Sequence, residues 1–295
     1  MEHTVTVDGT EMLLREYVGR FYTHGSWSAF IAVCNREDVP GLERNYGAFT
    51  RFATNQRTSF FRDELRMPFQ RGIAGLLREL NRPVKSLSLP CGNGKEAYSL
   101  AMLAALDGVS DGASRLDMVV DGRDINPDNI EQAQRARYWL PKSHRRSLTS
   151  YAPHGAVIRT RSLGPSRFQI SDRFRERVSF TQHDIVKDPL VAIRDGEPVQ
   201  EQYDLVVALN FLLHLSDEGR GRALTHLTDA LQPQGLLLVD TNYQQPRQWR
   251  ALGGYGRSFR ANYNGFIGNL DTFTVEGDTL GLEKLPICGN VYWKP

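Results

Sequence analysis

Cysteine is scarce in this chain and none of it is patterned: Cys34, Cys91 and Cys288 are odd in number and share no CxxC or Cys/His spacing. That argues against a disulfide framework and a zinc site, so no metal is expected, and it fits a reducing compartment. Long apolar runs are missing too. Nothing approaches the roughly 18 residues that cross a bilayer, and no apolar h-region follows the start, so a soluble, cytoplasmic protein without a membrane partner is expected. Charge of one sign is also lacking. The formal net charge is +2, which leaves no electrostatic footprint for nucleic acid at the level of the whole chain. The local basic clusters from Arg135 to Arg146 and from Arg159 to Arg177 read as solvated faces. Repeats and low-complexity blocks do not occur.

What is present is material for a core, since 40% of 295 residues are hydrophobic. The organising stretch is Lys85 to Leu106, KSLSLPCGNGKEAYSLAMLAAL. A short apolar run ends in Pro90-Cys91-Gly92-Asn93-Gly94, and an Ala/Leu-rich helical pattern opens at once. In such a strand, turn and helix, Gly92 and Gly94 let the backbone turn sharply and approach a ligand, while the N–H groups of the new helix point back into the turn. Glu96 in the first turn suits the helix dipole and is equally able to accept from a ligand amine.

Residues 10 to 54 carry apolar residues at helical spacing, first Met12 to Phe21, then Trp27 to Val33, then Leu42 to Phe52. With a helix expected from about Pro68 to Leu80, residues 1–80 read as a helical N-terminal cap and lid. From Pro83 strands and helices alternate. Strands are expected at Val84 to Leu89, Leu116 to Val120, Arg177 to Thr181, Tyr203 to Ala208 and Leu236 to Val239. Helices are expected at Lys95 to Leu106, from Asn126-Pro127-Asp128 to about Arg137, and at Glu218 to Leu231. Residues 138 to 176 read as an excursion and 241 to 268 as a long loop or lid. Leu270 to Val275 and Ile287 to Trp293 suggest a terminal antiparallel hairpin. The fold class is therefore α/β, a mostly parallel Rossmann-like sheet over residues 81–295, with a ligand crevice at the carboxyl ends of the strands.

The polar turns fall on that edge: Gly92, Gly94 and Glu96 after the first strand, Asp124 after the second, Asp184 after the third, Asn210 and His214 after the fourth. A carboxylate after the second strand can accept ribose hydroxyls, and Asp184 can meet an adenine amino group. Several stretches resemble the CheR-type chemotaxis receptor methyltransferases, class I S-adenosylmethionine (SAM) enzymes. These are NQRTSFFRD at Asn55 to Asp63, GNGKEAYSLAM at Gly92 to Met102, RDINPDNIEQAQRARY at Arg123 to Tyr138, VSFTQHDIV at Val178 to Val186 and YDLVVALNFLLHL at Tyr203 to Leu215. The resemblance covers roughly residues 50 to 242. It implies SAM as cofactor, with Thr58 and Arg62 toward its methionine part or the acceptor and Glu96 at its amino acid group. Asp124 would face the ribose with Ile125 beside it, Asp184 with Ile185 the adenine, and Asn210 with Phe211 the inner wall.

The chain departs from that pattern around the acceptor. Lys95-Glu96 stands where the family writes two acidic residues, Leu209 replaces an Arg, His214 replaces a Tyr, and one extra residue separates Asn55 from Thr58. Methyl transfer from a sulfonium is an in-line displacement that positioning can accelerate by about 7–11 kcal/mol. A carboxylate acceptor needs no base and suits Arg62, whereas a hydroxyl, phenol or amine needs one, which His214 would supply. His214 thus tilts the expectation to a small-molecule acceptor over a receptor glutamate, with Arg62 and His214 as catalytic residues. Three other readings stay open. Gly92-x-Gly94-x-x-Ala97 also meets the loose nicotinamide fingerprint, although Asp124 lies too far on for its acidic partner. The fold would also serve as a non-catalytic binding protein, or use SAM for cyclisation or elimination of its own side chain.

Overall fold

The computed structural model describes residues 3–23, 28, 46–52, 58–107, 116–139, 161–162, 167–239, 270, 273–275, 278–287 and 289–295. Of the helical reading of Trp27 to Val33 only residue 28 is among them, and the loop at 241–268 lies outside them. The chain divides into two compact units, one of residues 56–182 and 203–207, the other of residues 1–55, 183–202 and 208–295.

The chain begins with a hairpin, β1 (Thr4–Val7) and β2 (Thr10–Leu13), and not with the helix read from residue 10 onward. Its two-residue turn, Asp8-Gly9, has φ of 50° and 75°, the pair of positive values that matches strand twist. Alternating T-V-T-V before D-G is the sequence signal for this hairpin, and the helical spacing begins after it. That spacing does form α1 (Leu14–Phe21), which buries Leu14, Tyr17, Val18 and Phe21 on one face. A second helix, α2 (Tyr46–Phe52), falls within the segment expected to be helical.

The parallel sheet lies in the unit of residues 56–182 and 203–207. Helix α3 (Asp63–Pro68) runs through a π-turn at Phe69–Ile73 into α4 (Ala74–Glu79), so this helical run starts five residues earlier than expected. Pro68 lacks an N–H to continue a tight ladder, and the wider turn follows it directly. Then come β3 (Val84–Ser88), α5 (Lys95–Leu106), β4 (Met118–Asp124) and α6 (Pro127–Arg135). Asn126 caps α6, its side chain accepting from the N–H of Asp128, with Pro at the first helical position. The excursion holds β5 (Arg137–Trp139), β6 (Arg161–Ser162) and β7 (Arg167–Gln169), an antiparallel three-stranded sheet with β7 in the middle, followed by α7 (Asp172–Arg175). After β8 (Val178–Gln182), residues of the other unit form the hairpin β9 (Val191–Arg194) and β10 (Glu197–Gln200) before β11 (Tyr203–Ala208). Strand β3 pairs in parallel with β11 and with β4, and β4 with β8. In order of appearance these strands stand 4-1-2-3. Connections therefore diverge between β3 and β11, the topological switch point of this sheet.

The other unit continues with α8 (Asp217–Asp229), capped by Ser216, whose hydroxyl accepts from Gly219 N–H, and β12 (Leu231–Val239). Two short strands, β13 (Thr274–Val275) and β14 (Asp278–Thr279), pair with each other. Finally β15 (Glu283–Lys284) and β16 (Asn290–Trp293) form, and β16 runs antiparallel to both β12 and β15. The end of the chain is thus antiparallel, but among the described residues its last strand pairs with β12 and β15 and not with Leu270 to Val275. Val291 and Tyr292 are fully buried and continue the Leu236–Val239 layer, a better apolar match than the exposed Thr274.

Candidate functional site

Within the parallel-sheet unit the site is built on the turn after β3. Gly94 holds φ +87° as it opens α5, and a Cβ there would sit 2.7 Å from Ala133 Cβ and 3.0 Å from both Phe180 and the Tyr138 hydroxyl. Only glycine fits so close an approach of turn, helix and strand. Behind it α5 is buried on every side from Glu96 to Ala104, so each polar group it carries needs a partner. Tyr98 donates to the Ala133 carbonyl (3.1 Å) and Ser99 to the Lys95 carbonyl (2.7 Å).

Glu96 is 3% exposed, and its two oxygens differ. Oε1 accepts from the Ser88 hydroxyl at the end of β3 (2.9 Å), and Oε2 lies 3.9 Å from Arg62 Nε. Arg62 is brought there because Thr58 to Arg62 is fastened along α5. The Phe61 N–H donates to Ser99 Oγ (3.0 Å), Lys95 Nζ donates to the Thr58 carbonyl (3.3 Å), and Phe60 meets Tyr138 edge-on at 5.0 Å. Lys95 is half-buried, and its ammonium is pushed below the usual lysine range by that burial and then by the charge of Arg62.

Asp124 ends β4 with 2% exposure. Its Oδ2 accepts from Gly92 N–H (2.8 Å), and its Oδ1 from Asn126 N–H (2.9 Å) and Asn129 Nδ2 (3.1 Å). Burial raises its pKa, and the three donors oppose the rise. A carboxylate offers about four acceptor sites, so one on Oδ2 remains for a ligand hydroxyl, not the pair expected from sequence. This unit therefore brings together Thr58, Arg62, Gly92, Gly94, Glu96, Asp124 and Ile125. The sequence reading passed over Ser88, Ser99 and Asn129, which orient those groups. Their signal is a polar residue inside an otherwise apolar strand or buried helix.

In the other unit Asp184 and Ile185 start a turn two residues past β8. The Asp184 carboxylate accepts from Tyr17 (2.7 Å) and Tyr46 (2.8 Å) on Oδ2, and from Val186 N–H (3.1 Å) on Oδ1, with the Tyr22 hydroxyl at 3.5 Å. Asn210 adopts φ +62°, a left-handed conformation that Asn tolerates, and leads through Phe211 into a short 3-10 turn that carries His214. The His214 carbonyl accepts from Thr23 N–H (2.9 Å), and burial pushes its imidazole down to about 4. A cavity of about 370 Å³ lies at the opposite, amino-terminal end of β4, lined by Leu116, Met118 and Phe174, and holds none of these residues.

A doubly wound parallel sheet with a glycine turn and a buried carboxylate at successive strand ends defines an α/β domain that binds an adenosine-bearing cofactor. Residues 56–249 match the model of the CheR methyltransferase SAM-binding domain, and the chain belongs to that family, with SAM as its cofactor. Among curated proteins it is 32% identical over 158 residues to the probable biofilm formation methyltransferase WspC of Pseudomonas putida, a match covering 54% of this chain and 34% of that protein. It is 24% identical over 198 residues to a chemotaxis protein methyltransferase of Listeria monocytogenes, covering 66% of this chain and 68% of that one. The chain thus spans about a third of the first relative's length and two thirds of the second's. Among solved structures, magnesium protoporphyrin IX methyltransferase from Synechocystis PCC 6803 with bound SAH aligns over 82% of this chain and 90% of that chain at 14% identity, with a TM-score of 0.37.

Proposed function

We propose that this chain transfers the methyl group of SAM to a carboxylate oxygen of a protein acceptor, forming a methyl ester. The observation that carries this reading is the state of His214. A base whose conjugate acid titrates near 4 gains little by taking a proton from a hydroxyl or amine at neutral pH. That weighs against a hydroxyl or amine acceptor and favours one that is already a nucleophile. Arg62, 12% exposed beside Glu96, and half-buried Lys95 supply the positive charge such an acceptor needs. The relatives named as chemotaxis and biofilm methyltransferases agree with a protein acceptor.

The donor set fits SAM. Glu96 suits the ammonium of its methionine part, Oδ2 of Asp124 one ribose hydroxyl, and the Gly92 to Gly94 turn close backbone approach, with Thr58 and Ile125 flanking. Arg62 orients the acceptor. When bound, SAM supplies a methyl sulfonium whose S–C electron pair leaves with sulfur as the acceptor oxygen forms the new C–O bond, so no proton moves. Ser88 and Ser99 fix Glu96 and the Thr58 to Arg62 segment so that little reorganisation is left to the reacting groups. The test is incubation with methyl-labelled SAM and protein fractions of the host. Label released as methanol by mild alkali is expected; alkali-stable label, or label confined to small molecules, would overturn the carboxylate reading.

A further inference from the structure

The small antiparallel sheet reaches the glycine turn through Tyr138. This residue is buried in the middle of β5, and its hydroxyl donates to the Asn93 carbonyl (2.8 Å), between Gly92 and Gly94. A phenol taken out of water needs such an acceptor, and a phenylalanine would fill the same space without one. Burial pushes the phenol further from ionisation, so it stays a donor. The same hydroxyl is one of the atoms that exclude a Cβ at Gly94, at 3.0 Å, so turn and phenol are fitted to each other.

The ring is fixed by its neighbours. Phe168 lies opposite Tyr138 in the β5–β7 register, with 5.8 Å between ring centroids. Phe60 meets the Tyr138 ring edge-on at 5.0 Å and also contacts Phe168 at 5.8 Å, and Tyr98 of α5 stands at 6.4 Å. The Lys95 ammonium lies 5.9 Å from the ring centroid, within reach of its negative face. All of these residues belong to the parallel-sheet unit. A ring held in this way leaves its hydroxyl little freedom, and the hydroxyl in turn fixes a carbonyl of the turn.

That turn spaces two carboxylates. On one side Gly92 N–H donates to Asp124 Oδ2 (2.8 Å), and on the other Glu96 follows Gly94 by two residues in the first turn of α5. A shift of the turn carries the start of α5, and Glu96 with it, relative to Asp124, which Asn126 and Asn129 hold in place.

We propose that Tyr138 is a positioning residue which, by holding the Asn93 carbonyl, sets the separation of Glu96 from Asp124 and so makes the site select for the amino acid part of its cofactor together with the ribose. This rests on the cofactor reading above, in which Glu96 takes the ammonium and Asp124 a ribose hydroxyl. A ligand that spans both carboxylates gains from their fixed spacing, because neither has to be moved into place on binding. A ligand that meets Asp124 alone gains nothing from it.

The experiment measures, by calorimetry, the binding of S-adenosylhomocysteine and of 5′-methylthioadenosine, which has the same nucleoside and sulfur but a methyl group in place of the amino acid part. The proteins are the full chain and its Tyr138→Phe variant, which keeps the ring and its neighbours and loses the hydroxyl. The parent should prefer S-adenosylhomocysteine. The variant should bind that compound roughly 2- to 12-fold more weakly, the loss that one net hydrogen bond converts to, and the preference should shrink by the same factor. A merely structural hydroxyl would weaken both ligands equally, or lower only the urea midpoint, and either result overturns the proposal. So does a parent with equal affinity for the two compounds. If Tyr138→Phe fails to fold, Phe168→Leu, which loosens the Tyr138 ring from across the strand pair, must lower the same preference. A parent that binds neither compound instead refutes the cofactor reading, and the positioning role with it.

Discussion

Replacing Asp124 by Asn alters the site at one atom. In the parent Oδ1 takes two donors, Oδ2 takes Gly92 N–H, and one acceptor site on Oδ2 is left. In Asp124→Asn the remaining oxygen keeps the two bonds from Asn126 and Asn129, while the new NH2 faces the Gly92 N–H, donor against donor. A ligand hydroxyl loses a charge-assisted bond of about 1.5–3 kcal/mol, so S-adenosylhomocysteine should bind roughly 10- to 150-fold more weakly. Stability responds less. Losing one bond costs about 1–3 kcal/mol, but the folded chain also sheds a carboxylate whose ionisation burial disfavours. Asp124→Ala sheds the same charge but leaves three donors unpaired, so its loss should be the larger. The sign of the pH effect follows from the raised folded pKa. Stability from the protonated form is fully present below the unfolded value near 3.8 and is lost as pH rises through the folded value. Calorimetry with S-adenosylhomocysteine and urea melts from pH 3 upward measure both effects; affinity within twofold of the parent in a folded Asp124→Asn would refute the ribose role.

His214 is neutral when buried, with its pKa lowered from 6.5 to about 4, so its contribution is present above 6.5 and is lost as pH falls toward 4. The full effect is of order 3 kcal/mol, and His214→Phe should remove that slope from urea melts while leaving turnover within a few-fold; a limb near pH 6–7 in the parent rate profile that vanishes in the variant would restore the base. Gly94→Ala forces a Cβ to 2.7 Å from Ala133 at φ +87°, and should cost about 3 kcal/mol by denaturant titration. Lys95→Met should raise the acceptor KM several-fold without lowering kcat, measured with methyl-labelled SAM and titrated acceptor; a fall in kcat alone would place the charge in the transition state.

Most of the scaffold was legible because its signals are local. The bounds of α5, Lys95 to Leu106, and of β11, Tyr203 to Ala208, follow from apolar runs with sharp punctuation, and Asn126-Pro127 announces α6 through cap chemistry. The antiparallel β5–β7 sheet was not legible, since strands of two and three residues carry too little period to register. Pairing of β16 with β12 depends on which apolar faces meet in space, which spacing along the chain does not encode. In the site, sequence pointed to which carboxylates stand at strand ends but not to how many donors each already has. Asp124 and Asp184 look alike as acidic residues after a strand, yet one keeps an acceptor site and the other is filled by tyrosines from residues 17 to 46.

The Lys95 substitution matters because of what happens to charge in the proposed reaction. A carboxylate and a sulfonium enter as ions and an ester and a thioether leave neutral, so both charges fade along the path. The positive charge of Arg62 and Lys95 holds the acceptor most strongly before reaction and less strongly at its summit. Attraction of that kind lowers KM without raising kcat. The rate must then come from alignment, which is where the structure invests its buried hydrogen bonds: Ser88 on Glu96, Ser99 on the Phe61 N–H, and three donors on Asp124. Glu96 tempers the cationic pair, since a carboxylate 3.9 Å from Arg62 Nε weakens the grip on the acceptor and so limits ground-state over-stabilisation. A site with a second carboxylate at position 95 would carry that tempering further, toward weaker acceptor binding and a smaller penalty on the way to the ester.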